Sequence, residues 1–521
     1  MSTSSATGTA AAARATPAPR APDRHRRRLR TSIASRARSI PAAAWACGLT
    51  AFLSAACWSL VTPPFQAPDE PAHFAYVEHL AETGELPTRE FSYPAAETSV
   101  LLSLDQGNLA LHPEVKASLP SSARRQLRSS LETKSLSRSA PAGAGVAGTE
   151  PPLYYALAAV PYRVGMTLTG NLLDSLELMQ LLSAVFAGVT ALFSYMFVRE
   201  TLPAVRWAWA VGGLGAALTP VLGFTSGAVT PDALLCAVAA AIFYCLARAF
   251  RRGLTLRLAL VIGVLVAAGT LTKLNFLGLV PGVVLGMVAL GLRGRARPDR
   301  AGASRSLAAA GAGVAIGLSP GAAYAAYKLL GAHDLLGPFS NSASSLAEHG
   351  SLWSKLVYIW EYYLPRLPGM AHGFIGISTP RLWFDRTVGL YGWLDTSFPG
   401  WAMDAAILPA ALIVALALRA LLARRSCLRP RLAEAITYAT MGAGLLALIA
   451  TTANMSVETE QIGYVQPRYL LPLLPLGALG LALAARGAGR RWGAAVGVLI
   501  VLGILAHDVF SQLLVVSRFY G

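Results

Sequence analysis

The chain has 521 residues, 54% of them hydrophobic and only 14% charged, with a formal net charge of +17. This balance excludes an ordinary soluble globular protein and places the chain among polytopic membrane proteins. The positive charge does not point to nucleic acid, because no aromatic-basic platform or nucleic-acid motif occurs and the arginines lie in short connections between apolar runs.

In chain order, residues 1–40 are an Ala/Pro/Ser/Thr-rich opening that runs into Arg24, Arg26, Arg27, Arg28, Arg30, Arg36 and Arg38. That composition predicts a disordered, cytoplasmic tail. Residues 41–521 then read as one transmembrane domain. The run 41–62 lacks a small-x-small cleavage site at a useful position and is read as an uncleaved first span. Residues 63–175 follow as a large first external loop. Its eleven acidic residues between Phe65 and Glu150 mark it as hydrated, and its Ser/Arg-rich part, 118–140, is read as a flap over whatever the core holds.

The apolar segment from Pro151 to Met166 is expected to be a half-inserted or interfacial helix, since a full crossing would send every later arginine cluster outside. Further spans are expected near 176–198, 206–224, 231–249, 256–272, 274–292, 304–328, 400–422, 433–454, 467–486 and 491–514, giving about eleven. A second large external loop falls at 329–399 and a smaller one at 455–466. With the tail inside, the groups Arg199/Arg206, Arg251/Arg252, Arg293/Arg295, Arg424/Arg425 and Arg490/Arg491 all fall inside too. The expected fold is therefore an all-α polytopic membrane protein. The Ala/Gly/Arg-rich composition suits a high-GC bacterial source. Cys47, Cys57, Cys236, Cys245 and Cys427 lie mostly in or beside apolar runs and form neither metal spacing nor a disulfide framework.

This topology gathers the unusual polar residues on the outer face. Asp69, Glu70 and His73 follow the first span, and Glu150 precedes the interfacial helix with its Tyr154/Tyr155 pair. Asp232 opens a span, Lys273 lies at a turn, Trp393 and Asp395 precede a span, and Gln466, Arg468 and Tyr469 open another. For Asp69 and Glu70 one reading is acid-base chemistry or cation binding, the other a helix start with Pro71 in its first turn. His73 shares their face and either orients them or joins them at a metal, for which Asp69, Glu70 and His73 are the candidate ligands. Glu78 and His79 are read as solvated helix residues.

Arg468 has the fork that grips a phosphate. Lys273 either adds a second positive charge or pairs with a carboxylate such as Asp232. Trp393 suits stacking on a sugar and Asp395 the binding of hydroxyls. No Walker loop, Rossmann glycine signature or Gly-x-Ser-x-Gly elbow occurs in its required context, so cytosolic nucleotide chemistry has little support.

Five motifs, in order, carry a resemblance. Pro-Pro-Phe-Gln-Ala-Pro-Asp-Glu-Pro-Ala-His-Phe at 63–74, Glu-Pro-Pro-Leu-Tyr-Tyr at 150–155, Thr-Pro-Asp-Ala-Leu at 230–234, Tyr-Gly-Trp-Leu-Asp at 391–395 and Gln-Pro-Arg-Tyr-Leu at 466–470 resemble the bacterial domain-of-unknown-function 2142 membrane family. That family in turn looks like the GT-C glycosyltransferases, so the resemblance implies a GT-C-like bundle and transfer from a polyprenyl-phosphate sugar to an acceptor, expected to be a cell-envelope glycan or lipid-linked acceptor; one displacement there predicts inversion. It implies Asp69 as the catalytic carboxylate with Glu70 beside it, and it makes Lys273 resemble a Thr-Lys motif at the end of a span. Two positions depart from the pattern: Pro467 stands where glycine is expected and Thr230 where asparagine is. The implied location is the plasma membrane, with the site on the extracytoplasmic side. A transporter or flippase of lipid-linked saccharides is the alternative, and a non-catalytic envelope scaffold is a further one.

Overall fold

Helix boundaries in this chain follow side chains that supply the hydrogen bonds a helix start lacks. Asn171 accepts from the Leu173 N–H at 2.9 Å, Thr230 from the Asp232 N–H at 3.3 Å, and Thr255 from the Leu258 N–H at 3.3 Å. Pro231, at the first helical position, needs no donor partner. Thr230, the departure noted above, thus serves as a cap.

The computed structural model describes residues 40–87, 92–93, 97, 100–102, 104–110, 112, 114–116, 142–144, 146–295, 300–330, 351–370, 378–453 and 465–521. The tail, the 118–140 flap, residues 331–350 and 371–377 of the second external loop and most of the 455–466 loop lie outside them. The chain divides into Met1–Ala42 and Ala43–Gly521.

The helices of the bundle are α1 (Ala42–Val61), α2 (Glu70–Thr83), α3 (Leu153–Thr169), α4 (Leu172–Thr201), α5 (Arg206–Ala217), α6 (Pro220–Ser226), α7 (Pro231–Arg252) and α8 (Leu256–Thr270). They continue as α9 (Val280–Arg295), α10 (Arg300–Leu330), α11 (Leu352–Tyr363), α12 (Thr379–Gly389), α13 (Gly400–Leu422), α14 (Leu432–Ala453), α15 (Leu474–Gly487) and α16 (Gly489–Tyr520). Strands among the described residues are limited to two short antiparallel ribbons, β1 (Ser92–Tyr93) with β2 (Ala142–Ala144) and β3 (Leu390–Tyr391) with β4 (Thr396–Ser397).

Helix α7 is buried on every side over most of its length, which its alanine-rich sequence allows, and it packs against α4 and α8. Around it α8 and α9 pack on α10, α9 on α14, and α15 against both α5 and α13. Close approach of α1 to α4 rests on Gly48 and Gly188: a Cβ on either would sit 3.0 or 2.9 Å from the other's carbonyl oxygen. Phe197, Phe243 and Tyr438 interlock between α4, α7 and α14 with ring centroids 5.4–5.6 Å apart.

Among the described residues eight helices are long and apolar enough to cross a membrane, or nine if α5 and α6 form one span bent by 49°. The sequence suggests about eleven. The difference lies in α8 and α9, whose 15 and 16 residues give a rise of only about 22–24 Å against a hydrocarbon core of roughly 30 Å. A turn of 3₁₀ helix, Leu274–Gly278, takes up apolar residues that hydropathy alone assigns to the spans. The segment expected at the interface is the single helix α3. It buries Tyr154, Tyr155, Ala158 and Tyr162 against the protein and exposes Leu157, Val160, Val164 and Leu168 along the opposite stripe.

Candidate active site

The chain between α1 and α2 is a proline-rich loop that turns sharply at two places. Phe65 and Asp69 both adopt φ of +65°, a region rare for residues with a side chain and better tolerated by aspartate than by most. Asp69 stands at the cap position of α2, yet its carboxylate makes no cap hydrogen bond. It points instead to Arg468, whose Nη2 donates to Asp69 Oδ2 while its Nη1 donates to the Pro68 carbonyl at 3.2 Å. Burial alone would raise the Asp69 carboxyl, but the charge and hydrogen bond of Arg468, with the Lys273 ammonium behind it, outweigh it and hold the group at about 2.

Glu70, one residue on, is enclosed. Its Oε1 accepts from Gln180 Nε2 and from the Val229 N–H, each at 2.9 Å, and its Oε2 accepts from the Phe65 N–H at 3.1 Å. One carboxylate thus joins the 63–69 loop, α4 and the turn before α7. Burial pushes it up to about 7 against the pull of those three donors.

Arg468 and Tyr469 lie in the 3₁₀ turn Pro467–Leu473 that leads into α15, with Gln466 capping it and accepting from the Tyr469 N–H at 3.1 Å. The Tyr469 ring faces two cations, the Arg468 guanidinium at 5.2 Å and the Lys273 ammonium at 5.7 Å from its centroid. Lys273 pairs with both oxygens of Asp232 at 2.9 and 3.0 Å, so the pairing alternative is the arrangement present. Burial would lower the Lys273 ammonium; Asp232 and Glu150 more than offset it and raise it.

The third wall comes from α2 and α3. His73 Nδ1 lies 2.9 Å from the Tyr155 hydroxyl, and Tyr155 stacks on Tyr76 with centroids 3.6 Å apart. Burial, then the Lys273 charge, lower the imidazole to about 3, so it is neutral at ordinary pH. Tyr154 reaches Ser183 on α4 at 2.9 Å, and the Leu153 N–H donates to the Leu271 carbonyl, which fixes α3 to the Lys273 turn. Glu150 receives the Tyr76 hydroxyl on its backbone carbonyl at 3.3 Å, while its side-chain Oε2 is buried and has no hydrogen-bond partner among the described residues. Burial raises the Glu150 carboxyl, with Lys273 opposing.

Trp393 and Asp395 sit apart from this cluster. The Trp393 indole donates to the Phe65 carbonyl at 3.1 Å, which braces the Asp69 loop from behind. Asp395 pairs with Arg518 at 3.4 Å, and Arg518 also donates to the carbonyls of Leu109 at 3.0 Å, His112 at 2.7 Å and Val115. Arg518 is one of several buried charged groups that sequence reading passed over. Another is Asp508, which accepts from Trp58 Nε1 at 2.9 Å and Ser54 Oγ at 3.0 Å. A further one is Glu200, paired with Arg251 and Arg252 at 2.9 Å each. A lone acid inside an apolar run, as at 508, is the signal that could have found one of them.

Among the described residues no three His, Cys, Asp or Glu side chains group as a metal site, Asp69, Glu70 and His73 included. No curated protein and no solved structure matches the chain. The family described as predicted membrane protein (DUF2142) matches residues 52–477, a stretch that contains every residue from Asp69 to Tyr469 described here. The chain belongs to the DUF2142 family of predicted membrane proteins.

Proposed function

We propose that the protein is a GT-C-like membrane glycosyltransferase that moves a sugar from a polyprenyl-phosphate donor to a cell-envelope glycan or lipid-linked acceptor on the extracytoplasmic face. The observation that carries this reading is the Asp69–Arg468 pair. A carboxylate kept ionised and partly open lies against a guanidinium in a cluster that also holds Lys273. Base and phosphate grip are thus adjacent.

In the reaction the donor phosphate takes Arg468 and releases Asp69. An Asp69 oxygen accepts the proton of an acceptor hydroxyl as that oxygen attacks the anomeric carbon. The bond from the anomeric carbon to the phosphate oxygen breaks, and its electron pair leaves with the lipid phosphate, whose charge Arg468 and Lys273 stabilise. A single displacement inverts the anomeric configuration. Glu70, held by three N–H donors, positions the loop that carries Asp69, and neutral His73 is held by Tyr155.

The test is transfer by purified protein from a panel of polyprenyl-phosphate sugars, with mass and linkage analysis of the product. An inverted product from at least one donor is expected, and a retained configuration would overturn the mechanism. One observation favours transport instead: the 49° break between α5 and α6, because interrupted helices line the substrate sites of transporters. Movement of a labelled lipid-linked saccharide across proteoliposomes, with no covalent transfer to any acceptor, would decide for that reading.

A further inference from the structure

A second polar site lies at the other end of α7. Asp232 opens that helix and Arg251 is in its last turn, which separates the two by about 30 Å of helix rise. Around this far end, the last turn of α7, the start of α8, the end of α9 and the start of α10 enclose a cavity of about 770 Å³. Four arginines line it: Arg251, Arg252, Arg293 and Arg305.

Glu200 answers two of them, taking Arg251 and Arg252 at 2.9 Å each, with Arg248 at 3.8 Å, while Glu434 on α14 lies within electrostatic reach of Arg293. Arg293 and Arg305 are in no ion pair among the described residues. Arg293 donates to the Pro430 carbonyl at 3.1 Å and lies over the Phe250 ring at 5.3 Å. Thr255 and the first turn of α8 line the same cavity and bring the positive end of a helix dipole to it. The remaining wall is apolar, with Phe250, Leu254, Leu290 and Ala309, and it continues to Leu256, which is exposed on the outside of the bundle.

We propose that this cavity binds the phosphate headgroup of an anionic membrane lipid, with the lipid chains leaving along the apolar wall past Leu256. An excess of guanidinium over carboxylate selects a phosphate, and an apolar exit at the edge of the bundle selects one carried on hydrocarbon. The site is independent of the proposed transferase chemistry.

The test uses the full chain in detergent, titrated with dioleoylphosphatidylglycerol or dioleoylphosphatidylcholine and read by native mass spectrometry. The anionic lipid is expected to be retained over the zwitterionic one. Arg293→Gln with Arg305→Gln is expected to weaken its retention on the order of tenfold while the protein stays folded, with only a small fall in melting temperature from the lost Arg293 contacts to Pro430 and Phe250. Arg490→Gln with Arg491→Gln, in a separate basic connection, should leave retention unchanged. Equal retention of the two lipids, or equal loss in both double variants, overturns the assignment. Displacement of the lipid by inorganic phosphate at a comparable concentration overturns it in favour of a free-phosphate site.

Discussion

Asp69 pairs with Arg468 and Asp395 with Arg518, yet the Asp69 side chain keeps 38% of its surface exposed and Asp395 only 4%. The arginines are buried in both pairs, at 9% and 5%. What differs is what else each guanidinium holds. Arg518 donates to three carbonyls of the loop between α2 and α3 as well as to Asp395, so it staples that loop to helix α16. Arg468 holds one carbonyl and one open carboxylate beside the Tyr469 ring. A guanidinium so placed can exchange its carboxylate for a phosphate, whereas Arg518 cannot leave its partners without releasing the loop. On the proposed function, the same two residue types serve reaction in one place and anchoring in the other.

Paired aspartate substitutions give the largest contrast. Asp69→Asn is expected to reduce sugar transfer by about 10²–10⁴-fold, the usual contribution of a general base, while the melting temperature and folded yield hold. Asp395→Asn should do the reverse and lower yield before it lowers turnover per folded molecule. Turnover of purified Asp69→Asn at the wild-type rate would end the assignment of the base.

The arginines sharpen the comparison next. Arg518→Ala leaves the enclosed Asp395 carboxylate without its guanidinium and is expected to destabilise by about 3–5 kcal/mol, seen as a large fall in melting temperature. Arg468→Ala should weaken donor binding by roughly tenfold to a hundredfold, with a smaller thermal effect because Asp69 can turn to water. A thermal loss as large as that of Arg518→Ala would mean that both pairs are staples.

A pH experiment tests the exchange of partners. With Arg468 against it, Asp69 sits at about 2, so kcat/KM, which reports the free enzyme, should stay level as pH falls towards the limit of stability. Once donor phosphate occupies Arg468, burial acts on Asp69 with less opposition and its pKa rises. Protonating the base stops transfer, so kcat should fall on the acid side at a higher pH than kcat/KM does. Coincident acid limbs would show that the phosphate does not displace Asp69.

Much of this site could be read along the chain because its residues stand at the ends of hydrophobic runs, where composition changes abruptly. Asp69 and Glu70 follow the first span in a proline-rich break, and Asp232, Lys273 and Arg468 open or close others. What local reading missed depends on contacts distant in sequence. The partners of Asp508, Ser54 and Trp58, lie 454 and 450 residues away, and the carbonyls that Arg518 holds lie more than 400 residues back in the first loop. The enclosure of Glu70 was hidden for the same reason, since its donors come from positions 65, 180 and 229. Hydropathy likewise counts apolar residues without marking where a helix stops, which is why α8 and α9 read as full spans.

Glu70 supplies the smallest effect and a check on its separation from Asp69. Its folded value of about 7 lies above the ordinary glutamate value of 4.5, so between those values the folded protein holds the proton more tightly than the unfolded chain. The stabilisation is complete below about 4.5 and is lost as pH rises through about 7. Melting temperature followed from pH 5 to 8 should therefore carry a downward slope that Glu70→Gln removes. The substitution also turns an amide NH₂ towards backbone or side-chain N–H donors, which costs about 1–3 kcal/mol at every pH. Transfer per folded molecule should change far less than in Asp69→Asn, because Glu70 holds the loop and does not meet the acceptor. A Glu70→Gln protein that folds with an unchanged pH slope, yet loses transfer as completely as Asp69→Asn, would move the base from Asp69 to Glu70.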